Sequence, residues 1–421
     1  MLSQIEGSRG VAEAVARCRP EVVSAYPISP QTHIVEALSA LVKAGRLSPC
    51  EYLNVESEFA AMSVAIGASA AGARTYTATA SQGLLYMAEA LYNASGLGLP
   101  IVMTVANRAI GAPINIWNDH SDSLSQRDSG WIQLYAQDNQ EALDLHIQAF
   151  RLAEELSTPV MVCMDGFVLT HAFERLDVPE AARVDAFLPP YEPRQVLDPA
   201  DPVSMGAMVG PDAYTEVRYL SHEKHLRALE IIPRLRAEFT AVFGRDSGGL
   251  VRPYRHDDAG ILVIAMGSVL GTLEDTVDEL RGDGMRVGAV GLTSFRPFPA
   301  DALRAAVGPA ARVVVVERAL GVGSCGIVTP EVRAALAGLP VEVHTVFAGL
   351  GGRPITKASL RALLADAAAG TLEPTRFLDL RTDLVAQELR RMRRVRRSGP
   401  IAENLLRDLH QGVPSDVAAE S

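Results

Sequence analysis

The sequence predicts an α/β protein in which a larger parallel-sheet domain precedes a smaller αβ domain. Short apolar runs alternate with helical patterns from residue 8 to residue 165, which is typical of a parallel sheet covered by helices. The same alternation starts again at Gly260. The chain has 421 residues, 48% of them hydrophobic, and a single core rarely grows beyond roughly 300 residues. We therefore expect more than one domain.

The first αβ block, residues 8–165, carries five apolar runs that we predict to be strands. Helical patterns such as HIVEALSALVKAG follow the first three runs. The runs are VVSAYP (22–27), EYLNV (51–55), TYTATA (75–80), PIVMTVA (100–106) and PVMVCMDG (159–166).

Between the two αβ blocks the alternation breaks, from residue 173 to about residue 257. Six prolines lie between residues 189 and 211. Because proline lacks a backbone N–H donor, they predict an irregular arm. A helix is expected near 222–243.

The second αβ block, residues 258–360, contains the strand patterns GILVIAMG, MRVGAVGL, RVVVVERAL and VEVHTVFAG. Helical patterns separate them, which predicts a compact three-layer domain. The predicted domains are 1–257, which includes the arm at about 173–257, then 258–360, and a helical C-terminal extension over 361–421.

Charge and cysteine usage argue against several classes of function. The formal net charge is −11, and nucleic-acid binding is not expected because phosphate neutralisation needs a surplus of Lys and Arg. No stretch reaches the roughly 18 apolar residues of a membrane span, and the N-terminus lacks a signal-peptide pattern, so we expect a cytoplasmic protein without membrane contact. The cysteines form no Cys-x-x-Cys pair, and no metal or iron–sulfur site is predicted on this chain. They are Cys18, Cys50, Cys163 and Cys325.

Two motif-like segments are expected to be structural. Residues 321–326, GVGSCG, fit the dinucleotide fingerprint between a strand and a helix. The next strand ends without the acidic residue that holds a ribose, which favours close backbone packing or an interface turn over nucleotide binding. His222 and His225 lie three apart on a predicted helix. No third ligand is identifiable, so a solvated polar face is expected there.

Polar residues end successive strands of the first αβ block. Ser29 lies in a turn between two prolines after the first strand, and Glu58 opens the helix after the second. Arg108 follows the fourth strand and precedes the polar loop 115–122. Open α/β sheets bind ligands at the carboxyl ends of their strands. A hydroxyl, a carboxylate and an arginine at that edge suit a small anionic substrate or a polar cofactor.

Several long segments resemble the alpha subunit of multi-subunit pyruvate:ferredoxin oxidoreductase, within the 2-oxoacid:ferredoxin oxidoreductase family. They occur in family order and extend from residue 1 to about residue 360. The segments are YPISPQTHIVEALS, VESEFAAMSVAIGASAAGARTYTATASQGL, LPIVMTVANRAIGAPINIWNDHSDS, RDSGWIQLYAQDNQEALD, MVCMDGFVLTH, MGSVLGT, SFRPFP and AGLGGRPIT.

This resemblance implies a thiamine-diphosphate-binding domain of the pyrimidine type, followed by a transketolase C-terminal-like domain. It also implies coenzyme A as co-substrate and beta, gamma and delta subunits as partners. The magnesium ion and the diphosphate of the cofactor would lie on the beta subunit, and 4Fe–4S clusters on partner subunits. The turn Gly282-Asp283-Gly284 resembles the start of the diphosphate motif, but no Asn pair follows it in this chain. We expect an ordinary turn there.

The resemblance also implies roles for three residues. Glu58 matches the family glutamate that bonds the aminopyrimidine ring, a catalytic and cofactor-binding role. Arg108 matches the arginine that meets the carboxylate of the substrate. Ser29 stands where the family usually has threonine, so the hydroxyl is kept and the methyl group is lost. The substrate pocket is therefore expected to be slightly wider.

The resemblance implies the oxidative decarboxylation of a 2-oxoacid to an acyl-CoA, with reduction of ferredoxin. Pyruvate is the expected substrate. Branched-chain or aryl 2-oxoacids are the alternative substrates. A non-catalytic assembly subunit is a rival from another class, although a scaffold needs neither Glu58 nor Arg108. A thiamine-dependent transketolase or dehydrogenase component without ferredoxin is disfavoured by the matching segments.

The segment RRMRRVRR, residues 390–397, lies beyond the resemblance. Arginines packed this densely usually lie on a solvent-exposed face of a helix. Contact with an acidic partner subunit or ferredoxin is the alternative.

Overall fold

The computed structural model describes residues 2–394 and 401–411. The chain divides into two compact units, Met1–Arg376 and Phe377–Ser421. Both αβ blocks lie in the first unit, and the domain boundaries near 257 and 360 stay predictions. None of the described helices is long and apolar enough to cross a membrane.

The described residues form strands and helices that are numbered here in chain order. The strands are β1 (Leu2–Glu6), β2 (Val22–Ala25), β3 (Glu51–Asn54), β4 (Thr75–Thr79), β5 (Val102–Asn107), β6 (Ile132–Tyr135), β7 (Val160–Asp165), β8 (Phe173–Asp177), β9 (Val251–Tyr254), β10 (Ile261–Ala265), β11 (Val287–Leu292), β12 (Ser294–Arg296), β13 (Arg312–Glu317), β14 (Glu342–Phe347) and β15 (Thr375–Phe377). The helices are α1 (Gly7–Arg17), α2 (Thr32–Lys43), α3 (Glu58–Ala70), α4 (Ser81–Tyr86), α5 (Ala88–Gly96), α6 (Ser121–Ser125), α7 (Asn139–Leu156), α8 (Ala181–Phe187), α9 (Pro211–Phe243), α10 (Val269–Gly282), α11 (Ala300–Val307), α12 (Val328–Ala335), α13 (Lys357–Ala369), α14 (Thr382–Arg394) and α15 (Ile401–Gln411).

The first αβ block is built on a seven-stranded sheet with the order β12-β6-β7-β5-β4-β2-β3. Its neighbours are parallel except for β12 against β6. The five predicted strands are β2, β3, β4, β5 and β7, so the predicted parallel sheet is confirmed. The register pairs Asn107 with Asp165, which brings the carboxyl ends of β5 and β7 to one edge.

The second αβ block is built on a six-stranded sheet with the order β15-β14-β13-β10-β11-β9. The four predicted strands are β10, β11, β13 and β14, and they pair in parallel. The edge strand β9 pairs antiparallel with β11. Predicted helices separate these strands as α10, α11 and α12.

The two αβ blocks are joined by a shared strand and a shared core. Strand β12 lies in the sequence of the second αβ block but pairs with β6 of the first, with Ser294 opposite Leu134. One buried apolar cluster also extends from the first sheet to the second, and it includes Met62, Val105 and Ile264. A second cluster packs α1, α2, α7 and α9 against the first sheet.

The segment between the αβ blocks is only partly the irregular arm that was predicted. Residues 189–210 contain no helix, and their only bridge is an isolated one between Asp198 and Asp201. However, Phe173–Asp177 forms a strand against β1. The helix expected at 222–243 begins eleven residues earlier, at Pro211, because proline is well accommodated in a first helical turn that needs no backbone donor.

The second unit contains α14 and α15. Arg391 of the basic run pairs with Asp408 of α15 and lies 3.5 Å from Glu388 of its own helix. This arginine therefore has a structural role within the unit. Residues 395–397 of the run lie outside the described residues.

The glycine-rich turn 321–326 precedes α12, and a buried carboxylate occupies the start of that helix. Glu317 accepts hydrogen bonds from the backbone N–H groups of Val328 (3.1 Å) and Thr329 (2.6 Å). It also accepts one from the N–H of Ile327 (3.1 Å). A dinucleotide phosphate uses these same donors at a helix N-terminus. The Glu317 carboxylate therefore takes the place at the helix N-terminus that a phosphate group would occupy. The turn matches the fingerprint in sequence, but its backbone donors bind a side chain of the protein.

Replacement of Glu317 by Gln tests this interpretation. The amide group would turn an N–H donor toward backbone N–H groups, so we expect the free energy of unfolding to fall by about 2 kcal/mol. Urea unfolding of the variant measures the change. Asp301→Asn is the matched control, since Asp301 is an exposed acid in the first turn of α11. The free energy of unfolding of this variant should change by no more than about 0.5 kcal/mol. Equal losses in the two variants would contradict the assignment.

Candidate functional site

The candidate site lies at the carboxyl ends of β2, β3, β4 and β5, where the sequence predicts it. Glu58 is the first residue of α3, after the N-cap Ser57, whose hydroxyl accepts from the Ala60 N–H. The Glu58 side chain is turned inward and the residue is only 8% exposed. Helix α3 starts here because Ser57 satisfies one of its free backbone donors.

Glu58 packs against the turn that follows β4. A Cβ atom on Gly83 would lie 2.7 Å from Glu58 Oε1 and 2.6 Å from Thr79 Oγ1. A side chain at position 83 would therefore displace Glu58 or Thr79. Thr79 Oγ1 is buried and has no hydrogen-bond partner in the described part of the chain.

The unpartnered Thr79 Oγ1 and the inward-facing Glu58 carboxylate fit a bound polar group. Glu58 has no hydrogen bond or ion pair to another described residue, and buried polar atoms normally have partners. The carboxyl group of Glu58 can donate to a ring nitrogen of an aminopyrimidine, or accept from that nitrogen once it is protonated, and the Thr79 hydroxyl can accept from the amino group. The residues present are therefore compatible with the pyrimidine end of thiamine diphosphate.

Asp122 holds the two central turns of the site together. Its Oδ2 atom accepts from the backbone N–H groups of Ser81 (2.9 Å) and Arg108 (3.0 Å). Its Oδ1 atom accepts from Asn107 Nδ2 and from the Ser123 N–H, both at 2.8 Å. The turn after β4 and the turn after β5 thus share one buried carboxylate.

The electrostatic setting of Asp122 is a balance of two effects. Complete burial raises the pKa of this carboxyl group to about 7, and the hydrogen bonds from Asn107 and the three backbone N–H groups oppose the rise. Since both oxygens accept two bonds each, the geometry fits the ionised form. Asp122 is the last residue of the polar segment 115–122 noted in the sequence. Nothing in that segment indicated that this acid, rather than another, would bridge the residues after β4 and β5.

Ser81 ties the same two turns together by its side chain. Its hydroxyl donates to the Ala109 carbonyl at 2.5 Å, and its backbone adopts a φ of 50°. Positive φ is uncommon for a residue with a Cβ atom. Such strain is found at sites where the surrounding contacts determine the conformation.

The structure brings Arg108 into contact with the main chain of Ser29. Arg108 Nη1 donates to the Ser29 carbonyl at 2.9 Å, and Nε donates to the Asn115 carbonyl at 3.3 Å. Burial lowers the pKa of the guanidinium and Asp122 opposes this shift, but an arginine remains charged at neutral pH. A guanidinium has five N–H donors, and these two bonds leave three. The Ser29 side chain is exposed and faces no described partner.

A buried charge cluster that the sequence did not reveal lies beside the site, between the two αβ blocks. Asp165, at the end of β7, accepts from His120 Nε2 at 2.8 Å and from the Ser268 N–H at 2.8 Å. It also pairs with Arg318, which follows β13. Burial alone would raise the pKa of Asp165, but Arg318 and His120 hold it well below its usual range. The cluster fixes the end of β7 to the second αβ block.

One group of side chains could in principle hold a metal ion, although no metal is predicted on this chain. The ligand atoms of Glu6, His33 and His171 all lie within 4.8 Å of one another. Glu6 already pairs with His33 Nδ1 at 2.5 Å and with Arg9 Nε at 3.6 Å. Glu6 and one ring nitrogen of His33 are thus paired within the protein itself.

The chain matches two family models. Residues 13–236 match the model described as pyruvate flavodoxin/ferredoxin oxidoreductase, thiamine diphosphate-binding. Residues 259–360 match pyruvate:ferredoxin oxidoreductase core domain II. All the candidate site residues above lie within the first match, and Ser268 and Arg318 lie within the second.

Curated relatives are similar over most of the chain. A pyruvate synthase subunit PorA from Methanosarcina barkeri is 48% identical over 90% of this chain and 97% of its own length. The PorA subunit from Methanocaldococcus jannaschii is 46% identical over 86% of this chain and 93% of its own. A ketoisovalerate oxidoreductase subunit VorA from Pyrococcus abyssi is 40% identical over 86% of this chain and 92% of its own.

Solved structures share the fold. A 2-oxoglutarate:ferredoxin oxidoreductase from Magnetococcus marinus has a TM-score of 0.67 and 18% identity, with 87% of this chain covered. This chain spans 65% of that longer chain. A split-gene transketolase has a TM-score of 0.52 and 15% identity over 87% of this chain. The family match over residues 13–236 and the identities to the curated relatives show that the chain belongs to the pyruvate flavodoxin/ferredoxin oxidoreductase family.

Proposed function

We propose that this chain is the alpha subunit of a pyruvate:ferredoxin oxidoreductase. With its partners it oxidatively decarboxylates pyruvate in the presence of coenzyme A, which gives acetyl-CoA and CO₂ and reduces ferredoxin. The observation that carries the proposal is the 48% identity to a pyruvate synthase subunit over 97% of that subunit's length. Glu58 and Arg108 at the carboxyl edge of the first sheet support it, because they supply an acid and a cation suited to this chemistry.

Glu58 would hold the pyrimidine end of the cofactor. When bound, thiamine diphosphate supplies the nucleophilic carbon that attacks the 2-oxo carbon. The buried Glu58 carboxyl group would hold a proton at the pyrimidine ring nitrogen, which would favour the tautomer able to accept a proton at the amino group. Thr79 and Gly83 shape the space beside the carboxylate.

Arg108 would bind the carboxylate of the 2-oxoacid. Its Nη1 and Nε atoms are fixed by the Ser29 and Asn115 carbonyls, and its remaining donors match the planar geometry of a carboxylate. Ser29, whose carbonyl accepts from Arg108, would offer its exposed hydroxyl as a further donor to substrate. The missing threonine methyl leaves room for larger side chains.

Branched-chain 2-oxoacids are therefore the second candidate substrates. Two observations favour them: serine at position 29, and the 40% identity to a ketoisovalerate oxidoreductase subunit. An assay of ferredoxin reduction by the co-purified complex distinguishes pyruvate from branched-chain substrates. The assay contains coenzyme A and a panel of 2-oxoacids. Pyruvate is expected to have the highest kcat/KM.

Partner subunits would supply what this chain does not hold. In the proposal, a beta subunit binds the diphosphate and magnesium, 4Fe–4S clusters lie on partner subunits, and gamma and delta subunits complete a cytoplasmic complex. Apolar side chains along residues 203–220 are exposed and suit contact with another subunit. They are Val203, Met208, Val209, Tyr214, Val217, Tyr219 and Leu220.

Glu58→Gln keeps the size of the side chain but cannot exchange the proton. Turnover of the assembled complex should fall by on the order of 10² to 10⁴. Glu56→Gln is the matched control, because Glu56 is an exposed acid two residues away. Near-normal turnover in an intact Glu58→Gln complex would remove Glu58 from the mechanism.

Arg108→Lys keeps the charge but loses the planar fork. We expect kcat/KM for pyruvate to fall about 10- to 100-fold, while assembly and cofactor content stay normal. Arg304→Lys serves as the control, since Arg304 also donates to main-chain carbonyls, those of Ala335 and Ala337, but lies in the second αβ block. Unchanged saturation kinetics for every 2-oxoacid would assign Arg108 to a structural pair.

The isolated chain should be catalytically silent and colourless. It offers the pyrimidine side of the cofactor site, and half a site binds weakly because the charged diphosphate has no partner there. Equilibrium dialysis should detect no saturable thiamine diphosphate at micromolar concentration, and adding the partner subunits should restore activity and iron–sulfur absorbance. Tight binding and pyruvate decarboxylation by the chain alone would contradict a shared site.

A further inference from the structure

The loop that follows Arg108 is held by the second αβ block. This arginine loop, residues 108–120, carries two polar side chains that reach one glycine after β14. Asn115 Nδ2 donates to the Gly351 carbonyl at 3.1 Å, and Asp119 Oδ2 accepts from the Gly351 N–H at 3.1 Å. Both main-chain polar groups of Gly351 are thus used on the arginine loop.

The next glycine makes a close apolar contact with the same loop. A Cβ atom on Gly352 would lie 2.4 Å from Trp117 Cβ. Gly352 has a φ of +79° and Gly351 a φ of +58°, a region that favours glycine. The turn 351–352 therefore requires glycine both for its conformation and for its approach to Trp117.

The contacts continue from the glycine turn to the guanidinium. Asn115, which binds Gly351, also accepts from Arg108 Nε through its carbonyl at 3.3 Å. The Ala109 N–H donates to the Trp117 carbonyl at 2.9 Å, which closes the loop on itself. At the far end, the His120 N–H donates to the Arg318 carbonyl at 2.8 Å.

We propose that the turn Gly351–Gly352 positions Arg108 for its substrate. The second αβ block thereby sets the affinity for the 2-oxoacid without contacting it, since the turn fixes Asn115 and Trp117, and Asn115 orients the guanidinium. Asn115, Asp119 and Gly352 are positioning residues. This inference rests on the proposed role of Arg108 in substrate binding.

Two glycines provide a matched pair of variants. Gly352→Ala introduces a methyl group against Trp117, whereas Gly338→Ala introduces the same group at a φ of +82° with nothing within 4 Å. The backbone strain is similar in both, and only the first disturbs the arginine loop. Both variants are made in the complete complex with its partner subunits.

Two measurements test the loop contact and its effect on substrate affinity separately. Hydrogen exchange of residues 108–120, followed by mass spectrometry, should be faster in Gly352→Ala than in Gly338→Ala. The KM for pyruvate should rise roughly 5- to 30-fold in Gly352→Ala, while the KM for coenzyme A and the thiamine diphosphate content stay unchanged.

Asn115→Asp gives a second, isosteric test. It removes the donor to Gly351 and keeps the Oδ1 atom that accepts from the Trp117 N–H at 2.7 Å. The same rise in KM is expected. Loop exchange equal to that of Gly338→Ala in both variants would overturn the positioning role. Faster exchange with an unchanged pyruvate KM would leave the loop contact standing but refute its link to substrate affinity, whereas the role of Arg108 itself is tested separately by the kinetics of Arg108→Lys.

Discussion

The buried carboxylate of Asp122 is the contact on which the candidate site depends. It fixes the backbone N–H groups of Ser81 and Arg108, which begin helix α4 and the arginine loop after two adjacent parallel strands. Hydrogen bonds to a charged group contribute about 1.5–3 kcal/mol each, and an N–H group left unpaired at this depth would cost a similar amount. The turn of β4 that faces Glu58 and the turn of β5 that presents Arg108 therefore keep one relative position. In the proposed function, this fixed position would let the site bind cofactor and substrate without rearranging its backbone.

The same edge of the sheet is completed by the second αβ block. Asp165 and Arg318 form a buried pair with His120 and Ser268 around it, and strand β12 extends the first sheet. A buried ion pair of this kind is weak evidence for stability, because desolvation opposes its attraction. Its directional bonds instead fix one arrangement of the two blocks. This explains why a chain with two sheets forms a single compact unit up to Arg376.

The sequence predicted the parallel strands from short apolar runs, of which β5 and β7 are buried along their whole length, whereas the edge strand β3 is largely exposed. It also placed Ser29, Glu58 and Arg108 at one edge, because residues that end parallel strands must meet there. It did not predict β6, where the polar Gln133 interrupts a four-residue strand and donates from Nε2 to the Ser123 carbonyl at 2.8 Å. Nor did it predict β12, since a three-residue strand that joins another sheet has no local signature. Asp122, His120 and Asp165 were missed for the same reason: their partners are distant in sequence, and a buried acid looks like any other acid until the fold is known.

The central claim is that Glu58 of this chain holds the pyrimidine ring of a cofactor whose other end lies on a partner subunit. A cryo-EM structure of the assembled complex with thiamine diphosphate measures it directly, as the distance from the Glu58 carboxylate to the nearest pyrimidine ring nitrogen. The account predicts a hydrogen bond of about 2.7–3.0 Å, with the diphosphate bound by another subunit. A pyrimidine ring beyond about 4 Å from Glu58, or a diphosphate held by residues of this chain, would contradict it.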